Sequence, residues 1–114
     1  MVTTLTERVA ARGDELAIAD EHGSWTWAEL DTRLNRLIHG LRGLGLGVGD
    51  RVALLGGNRH EWVEVWCAMS GIGAVSVPIN WHFSVEEIAY VIEDSGATAL
   101  VAEARYAEQA AAAA

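Results

Sequence analysis

Residues 40–51 read GLRGLGLGVGDR, and five of the first ten are glycine. Glycine-rich loops cradle phosphates when they follow a strand and open a helix, because backbone amides and the helix N-terminus then face the anion. What flanks these glycines therefore decides the fold. Upstream, Leu30, Leu34, Leu37, Leu41 and Leu44 alternate four and three apart, which predicts one apolar stripe on a helix of roughly residues 27–44. Downstream, RVALL (51–55) is a short apolar β-rich run. The order is helix, glycines, strand, and Gly45-x-Gly47-x-Gly49 lacks the spacing of the dinucleotide fingerprint. Gly45 reads as the C′ glycine that stops the helix, and Gly49-Asp50 as a turn into the strand. These glycines are punctuation.

Working outward, the helix starts are legible. TWAE predicts a capping box with Thr26 as N-cap and Glu29 at N3, with Trp25 and Leu30 placed as a hydrophobic staple. SVEE repeats it with Ser84 and Glu87, and Phe83 and Ile88 placed to staple. TLTE caps a first short helix ending at Gly13, and NRHE predicts Asn58 as N-cap with Glu61 at N3. Trp62, Val65, Trp66 and Met69 form a second stripe; Val85, Ile88, Ala89 and Ile92 form a third. Between the stripes lie RVALL, AVSVPI (74–79) and TALVA (98–102), whose near-continuous apolar character suggests strands buried on both faces. The alternation predicts an α/β fold, a βαβαβ parallel-sheet segment. A small hairpin at LAIA and the segment after Gly23 precedes it, and a last helix spans Glu103 to Ala114.

The chain has 114 residues and a net charge of −8, and all eight basic residues are arginine. That length reads as one domain or a piece of one. An acidic surface with scattered arginines is a poor partner for nucleic acid or anionic lipid. Without lysine there is no Walker-type lysine, no Schiff base and no lysine to clamp a transferring phosphate. No apolar run approaches the length of a transmembrane helix. The first residues carry no secretory signal, and the lone Cys67 fits a reducing cytoplasm.

Few residues qualify for chemistry. Gly56-Gly57-Asn58 follows a strand and precedes a helix, so its amides are placed for an anion, although any parallel sheet needs a turn there. His60 and Cys67 sit roughly 10 Å apart on a helix, beyond hydrogen-bond reach, and Cys67 reads as a buried, inert thiol. His22, His39, His60 and His82 show no ligand spacing, so no metal is expected. Glu61 with Glu64, and Glu86 with Glu87, read as solvated carboxylates complementing helix dipoles. Trp62 and Trp66 read as core. No residue is assigned a catalytic role. NWHFSVEE differs, because Asn80 and His82 follow a strand at the carboxyl end of a parallel sheet, where such folds bind ligands.

Thr26-Trp27-Ala28-Glu29-Leu30, Asn35-Arg36-Leu37, Gly49-Asp50-Arg51-Val52-Ala53, Asn58 with Glu61-Trp62, Gly73 through Asn80, and Asp94-Ser95-Gly96-Ala97 occur in that order. Together they resemble the N-terminal region of acyl- and aryl-CoA synthetases, in the AMP-forming adenylating superfamily that includes luciferase and peptide-synthetase adenylation domains. NWHFSVEEIAY leans toward the fatty acyl-CoA branch. The resemblance implies that residues 1–114 are an incomplete portion of that family's large N-terminal domain. It also implies a full enzyme that uses ATP, Mg²⁺ and coenzyme A to turn a carboxylic acid, fatty acids first, into a thioester. The family's Pro-Lys-Gly phosphate loop, its adenine-binding stretch and its catalytic lysine are absent, so the 114 residues are not expected to adenylate alone or to bind these cofactors alone. The resemblance also implies that His82 stands in the slot where some relatives carry a basic residue that helps bind coenzyme A phosphates. Two other readings stay open: an adenylation domain of another branch, and a non-catalytic module. Expected partners are the rest of a synthetase or a second copy, through an open sheet edge.

Overall fold

The computed structural model describes residues 4–114. Helix α1 (Leu5–Arg12) precedes a hairpin of β1 (Leu16–Asp20) and β2 (Gly23–Thr26), and α2 (Trp27–Gly43) follows without a break. Then come β3 (Arg51–Leu55), α3 (His60–Ile72), β4 (Val75–Ile79), α4 (Val85–Ser95) and β5 (Ala99–Ala102). A 3₁₀ turn, Ala104–Tyr106, leads into α5 (Ala107–Ala113). The antiparallel hairpin forms its own two-stranded sheet, and the parallel sheet has the order β4-β3-β5.

Local chemistry sets most boundaries. Thr4, Thr26 and Ser84 each accept from the N3 amide, while Glu7, Glu29 and Glu87 reach back to the N-cap amide, so all three capping boxes form. Helix α2 ends in a Schellman motif: the Leu46 amide donates to Leu41 O at 3.2 Å and the Gly45 amide to Arg42 O at 2.9 Å. Gly45 holds φ +85° there, the left-handed region where a side chain costs energy. Leu44 is thus the cap rather than a stripe residue, and it is 78% exposed.

The sheet is wound on both faces because β3 alternates. Val52 and Leu54 pack with Leu30, Leu34 and Leu41 of α2 and with Val65, Met69 and Ile72 of α3. Ala53 and Leu55 turn the other way, toward Ile79, Ile88, Tyr106 and Ala110. Each face is one core; β3 feeds both with buried residues, and β5 feeds both with half-buried ones, Ala99 and Val101 on the first and Leu100 and Ala102 on the second. The expectation of strands buried on both faces holds for β3, while β4 and β5 are edges among the described residues and only half-buried.

Those edges are not equivalent. The Val75 amide donates to Asp50 O at 2.7 Å, so alternation turns positions 76 and 78 to the open side of β4. Position 78 is Pro78, with no N–H to offer an added strand. In β5 the Glu103 amide donates to Leu55 O at 2.9 Å and Ala99 pairs with Val52, so alternation turns Leu100 and Ala102 to the open side, both with amides. One edge is interrupted; the other is intact.

Candidate functional site

In doubly wound sheets the ligand crevice lies at the carboxyl ends of neighbouring strands whose following helices cover opposite faces. Here that condition is met at β3 and β4 and again at β3 and β5, since α3 joins one core and α4 and α5 the other. A cavity of about 290 Å³ lies at β3 and β5. Its apolar lining is Trp62, Val65, Val101 and Ala102, and its charged lining is Arg59, Glu61 and Glu103.

The loop after β3 has already met an anion, and the anion is the protein's own. Glu103, just past β5, accepts the Gly57 amide at 2.9 Å and pairs with Arg105 at 2.9 Å and Arg59 at 3.4 Å. The Gly57 hydrogen bond, with the two guanidiniums, holds the Glu103 carboxyl below its ordinary pKa against the opposing effect of burial. The glycine pair is therefore a structural turn closed by a carboxylate 46 residues away. A Cβ on Gly57 would collide with the Arg105 guanidinium, which shows how closely these groups approach.

The start of α3 is held in the same tertiary way. Its N-cap is Arg59 rather than Asn58, and no side chain of the local loop caps it. Asp20, at the end of β1, supplies the cap by accepting the His60 amide at 2.8 Å. The same carboxylate lies 2.7 Å from His60 Nδ1 and accepts the His22 amide at 2.8 Å. Burial opposes ionisation of Asp20, yet these hydrogen bonds outweigh it and hold the carboxyl far below the usual carboxylate range. Trp25 stacks on the buried His60 ring at 3.9 Å instead of stapling α2. Arg33 lies over the other ring system of this stack, 5.2 Å from the Trp25 centroid, and forks onto Glu64.

Asp20, His60 and Glu61 each bring a potential metal-ligand atom within 4.8 Å of the others. Sequence spacing could not show this, because Asp20 and His60 are 40 residues apart. The donors are spent, however. Arg59 holds both Glu61 oxygens at 3.1 Å, and both Asp20 oxygens accept backbone amides.

Several side chains depart from expectation. Glu64 is buried, 7% exposed, and paired with Arg33 rather than solvated. Cys67 is exposed rather than buried, although partial burial of the thiol pushes its pKa up. Trp62 packs on the first core, but Trp66 is 46% exposed, since α3 is apolar nearly all round and turns one tryptophan outward. Phe83 is 38% exposed, whereas Ile88 is buried.

The loop after β4 is the opposite of the loop after β3. Trp81, His82 and Phe83 are all exposed at the carboxyl end of the sheet. His82 stacks on Trp81 at 3.5 Å, and Trp81 stacks in turn toward Tyr106 at 6.0 Å. Glu86 and Glu87 are solvent-exposed at the start of α4, as the sequence predicts. No helix among the described residues is long and apolar enough to cross a membrane.

Comparison with known proteins fits this architecture. A feruloyl-CoA synthase from Amycolatopsis sp. is 42% identical over 104 residues, covering 90% of this chain and 21% of that protein. A putative long-chain-fatty-acid CoA ligase from Rhodopseudomonas palustris superposes with a TM-score of 0.90 at 31% identity, over 96% of this chain and 28% of that one. The N-terminal domain of FACL13 from Mycobacterium tuberculosis gives 0.89 at 30% identity, over 95% and 28%. The chain thus spans about a fifth of the length of the curated relatives it matches. The family model of AMP-binding enzymes matches residues 5–114, and the chain belongs to that family.

Proposed function

We propose that residues 1–114 are the amino-terminal part of an ATP-dependent ligase that joins a carboxylic acid to coenzyme A, and that they do not adenylate on their own. The observation that carries this reading is the family match across residues 5–114, with relatives named as CoA synthases and ligases. In the whole enzyme the acid's carboxylate attacks the α-phosphate of ATP, releasing pyrophosphate. The thiol of coenzyme A then attacks the acyl carbon and displaces AMP. Relatives include both a feruloyl-CoA synthase and a long-chain-fatty-acid CoA ligase, so the substrate class is a carboxylic acid, with fatty acids the first to test.

The contribution of these residues is scaffolding and one border of a binding site. No lysine is present to stabilise a transferring phosphoryl group. Among the described residues, the carboxylates that converge near His60 are held by Arg59 and by backbone amides, which does not suit them to the Mg²⁺ that accompanies ATP. His82 borders the coenzyme A entrance, exposed at the carboxyl end of β4. The intact β5 edge is where the remainder of the enzyme packs, and Pro78 keeps the β4 edge from competing. A cytoplasmic location belongs to the same reading, supported by the unpaired Cys67.

The test is acid-dependent ATP–pyrophosphate exchange, run on the 114-residue chain and on the species of whatever mass its cells contain. Exchange by a heavier species and none by the 114 residues is the expected result. Exchange by the 114 residues would overturn the division of labour. A native species near 12.2 kDa without exchange would favour the non-catalytic module.

A further inference from the structure

The loop Asn80–Phe83 fixes more than the position of His82: it fixes which ring nitrogen carries the proton. The His82 backbone amide lies 3.0 Å from one terminal atom of Asn80. A backbone amide only donates, so that atom is the carboxamide oxygen, Oδ1. The same Oδ1 lies 3.0 Å from His82 Nδ1. An amide oxygen only accepts, so Nδ1 carries hydrogen. In the neutral ring Nε2 is then a bare lone pair, and it has no hydrogen-bond partner among the described residues. A half-turn of the ring would set Cδ2, not the second nitrogen, against Oδ1 and lose this contact, and Trp81 stacks on the ring at 3.5 Å with an interplanar angle of 27°. Trp81 is itself backed by Tyr106 at 6.0 Å.

We propose that Asn80 and Trp81 are positioning residues that hold His82 as its Nδ1–H tautomer, so that His82 grips a phosphate group only after taking up a second proton on Nε2. This rests on the reading that His82 borders the coenzyme A entrance. The ligand chemistry is a phosphate ester of the nucleotide end of that coenzyme. A neutral Nε2 turns a lone pair toward the phosphate oxygens and repels them. The imidazolium donates from both nitrogens at once, Nδ1–H to Asn80 and Nε2–H to phosphate. Binding therefore takes one proton from solvent, and affinity falls as pH rises. Arginine in the same place would stay charged throughout. The charged groups around this ring are few. Its own helix start carries the exposed Glu86, and Glu87, which is spent on the Ser84 amide. The segment after β5 carries Tyr106 with Arg105 over its ring at 4.9 Å, and Arg105 is paired with Glu103 at 2.9 Å.

Two measurements on the full chain its gene encodes separate this proposal from the reading beneath it. In ¹⁵N-histidine-labelled protein above pH 8, long-range ¹⁵N–¹H correlations report the tautomer directly. The expected pattern is Nδ1–H for His82, lost in Asn80→Ala; an Nε2–H pattern in the wild type overturns the proposal. Adenosine 3′,5′-bisphosphate is then titrated from pH 6 to pH 8 against wild type and His82→Arg. Wild-type affinity is expected to fall about tenfold more than that of His82→Arg, in which only the phosphate's own titration remains. Parallel profiles with measurable binding overturn the proton linkage while leaving the coenzyme A reading intact. Absence of binding by both proteins at every pH overturns the coenzyme A reading, and the phosphate grip with it.

Discussion

Two loops leave the carboxyl end of the same parallel sheet, one after β3 and one after β4, and they have opposite economies of hydrogen bonding. The β3 loop carries the denser set of polar groups, with its glycine pair, an arginine, a histidine and a glutamate in six residues, Gly56–Glu61. In the fold its Gly57 amide, Arg59 and the His60 amide are all engaged by Glu103, Glu61 and Asp20. The β4 loop looks plainer, yet it holds Trp81, His82 and Phe83 in solvent with one imidazole nitrogen unspent. Position at a strand end is therefore only half of a ligand site. The other half is donors and acceptors that the protein has not already used.

The comparison is broken most severely by opening the closed loop. Glu103→Ala removes a shared partner of Gly57, Arg59 and Arg105 and leaves the part-buried Gly57 amide unpaired, while Arg59 keeps Glu61. A stability loss of about 2 kcal/mol is expected in urea denaturation, with the denaturant slope unchanged.

Acid probes the same closed network without mutation. Asp20, Glu61 and Glu103 all have folded-state carboxyl pKa values below their ordinary ones. The unfolded chain therefore binds more protons near pH 4, and stability that is fully present above the ordinary carboxylate range is lost as pH falls through about 4 and below. Thermal melts from pH 6 to pH 3 should show this slope, and Asp20→Asn should flatten it. An unchanged slope would mean that the Asp20 contacts at the start of α3 contribute no acid linkage.

Away from both loops, Gly45→Ala meets no neighbour but must adopt φ +85°, so about 1 kcal/mol should be lost in the same urea experiment. Smallest of all is the open loop. Trp81→Ala and His82→Ala should each change stability by less than about 0.5 kcal/mol, because exposed side chains away from buried networks rarely cost more. A loss as large as that for Glu103→Ala would show that the β4 loop is structural and erase the contrast.

Sequence alone made the local half of this fold legible. Capping boxes at Thr4, Thr26 and Ser84, the stop at Gly45 and the alternation of helices with apolar strands all act within a few residues, so their signals are contiguous. What stayed hidden was tertiary. Asn58 is an acceptable N-cap by type, but Asp20 reaches the His60 amide first from 40 residues away. Glu64 shows the limit of the dipole rule, because Arg33 on α2 draws it into the interface between α2 and α3. Cys67 and Trp66 show the limit of periodicity on a helix that is apolar on several sides and cannot bury all of them. For the proposed site, His82 is singled out by its place after a strand and by the family resemblance. The tautomer set by Asn80 is not, since it depends on two atoms meeting at one oxygen.

The contrast between the loops is tested most directly by hydrogen–deuterium exchange of the full chain its gene encodes, with and without coenzyme A. Slowed exchange across residues 80–84 with no change across residues 56–61 is the predicted result. Protection confined to residues 56–61 would mean that coenzyme A displaces Glu103 from the β3 loop, and that the closed loop, not the open one, is the site.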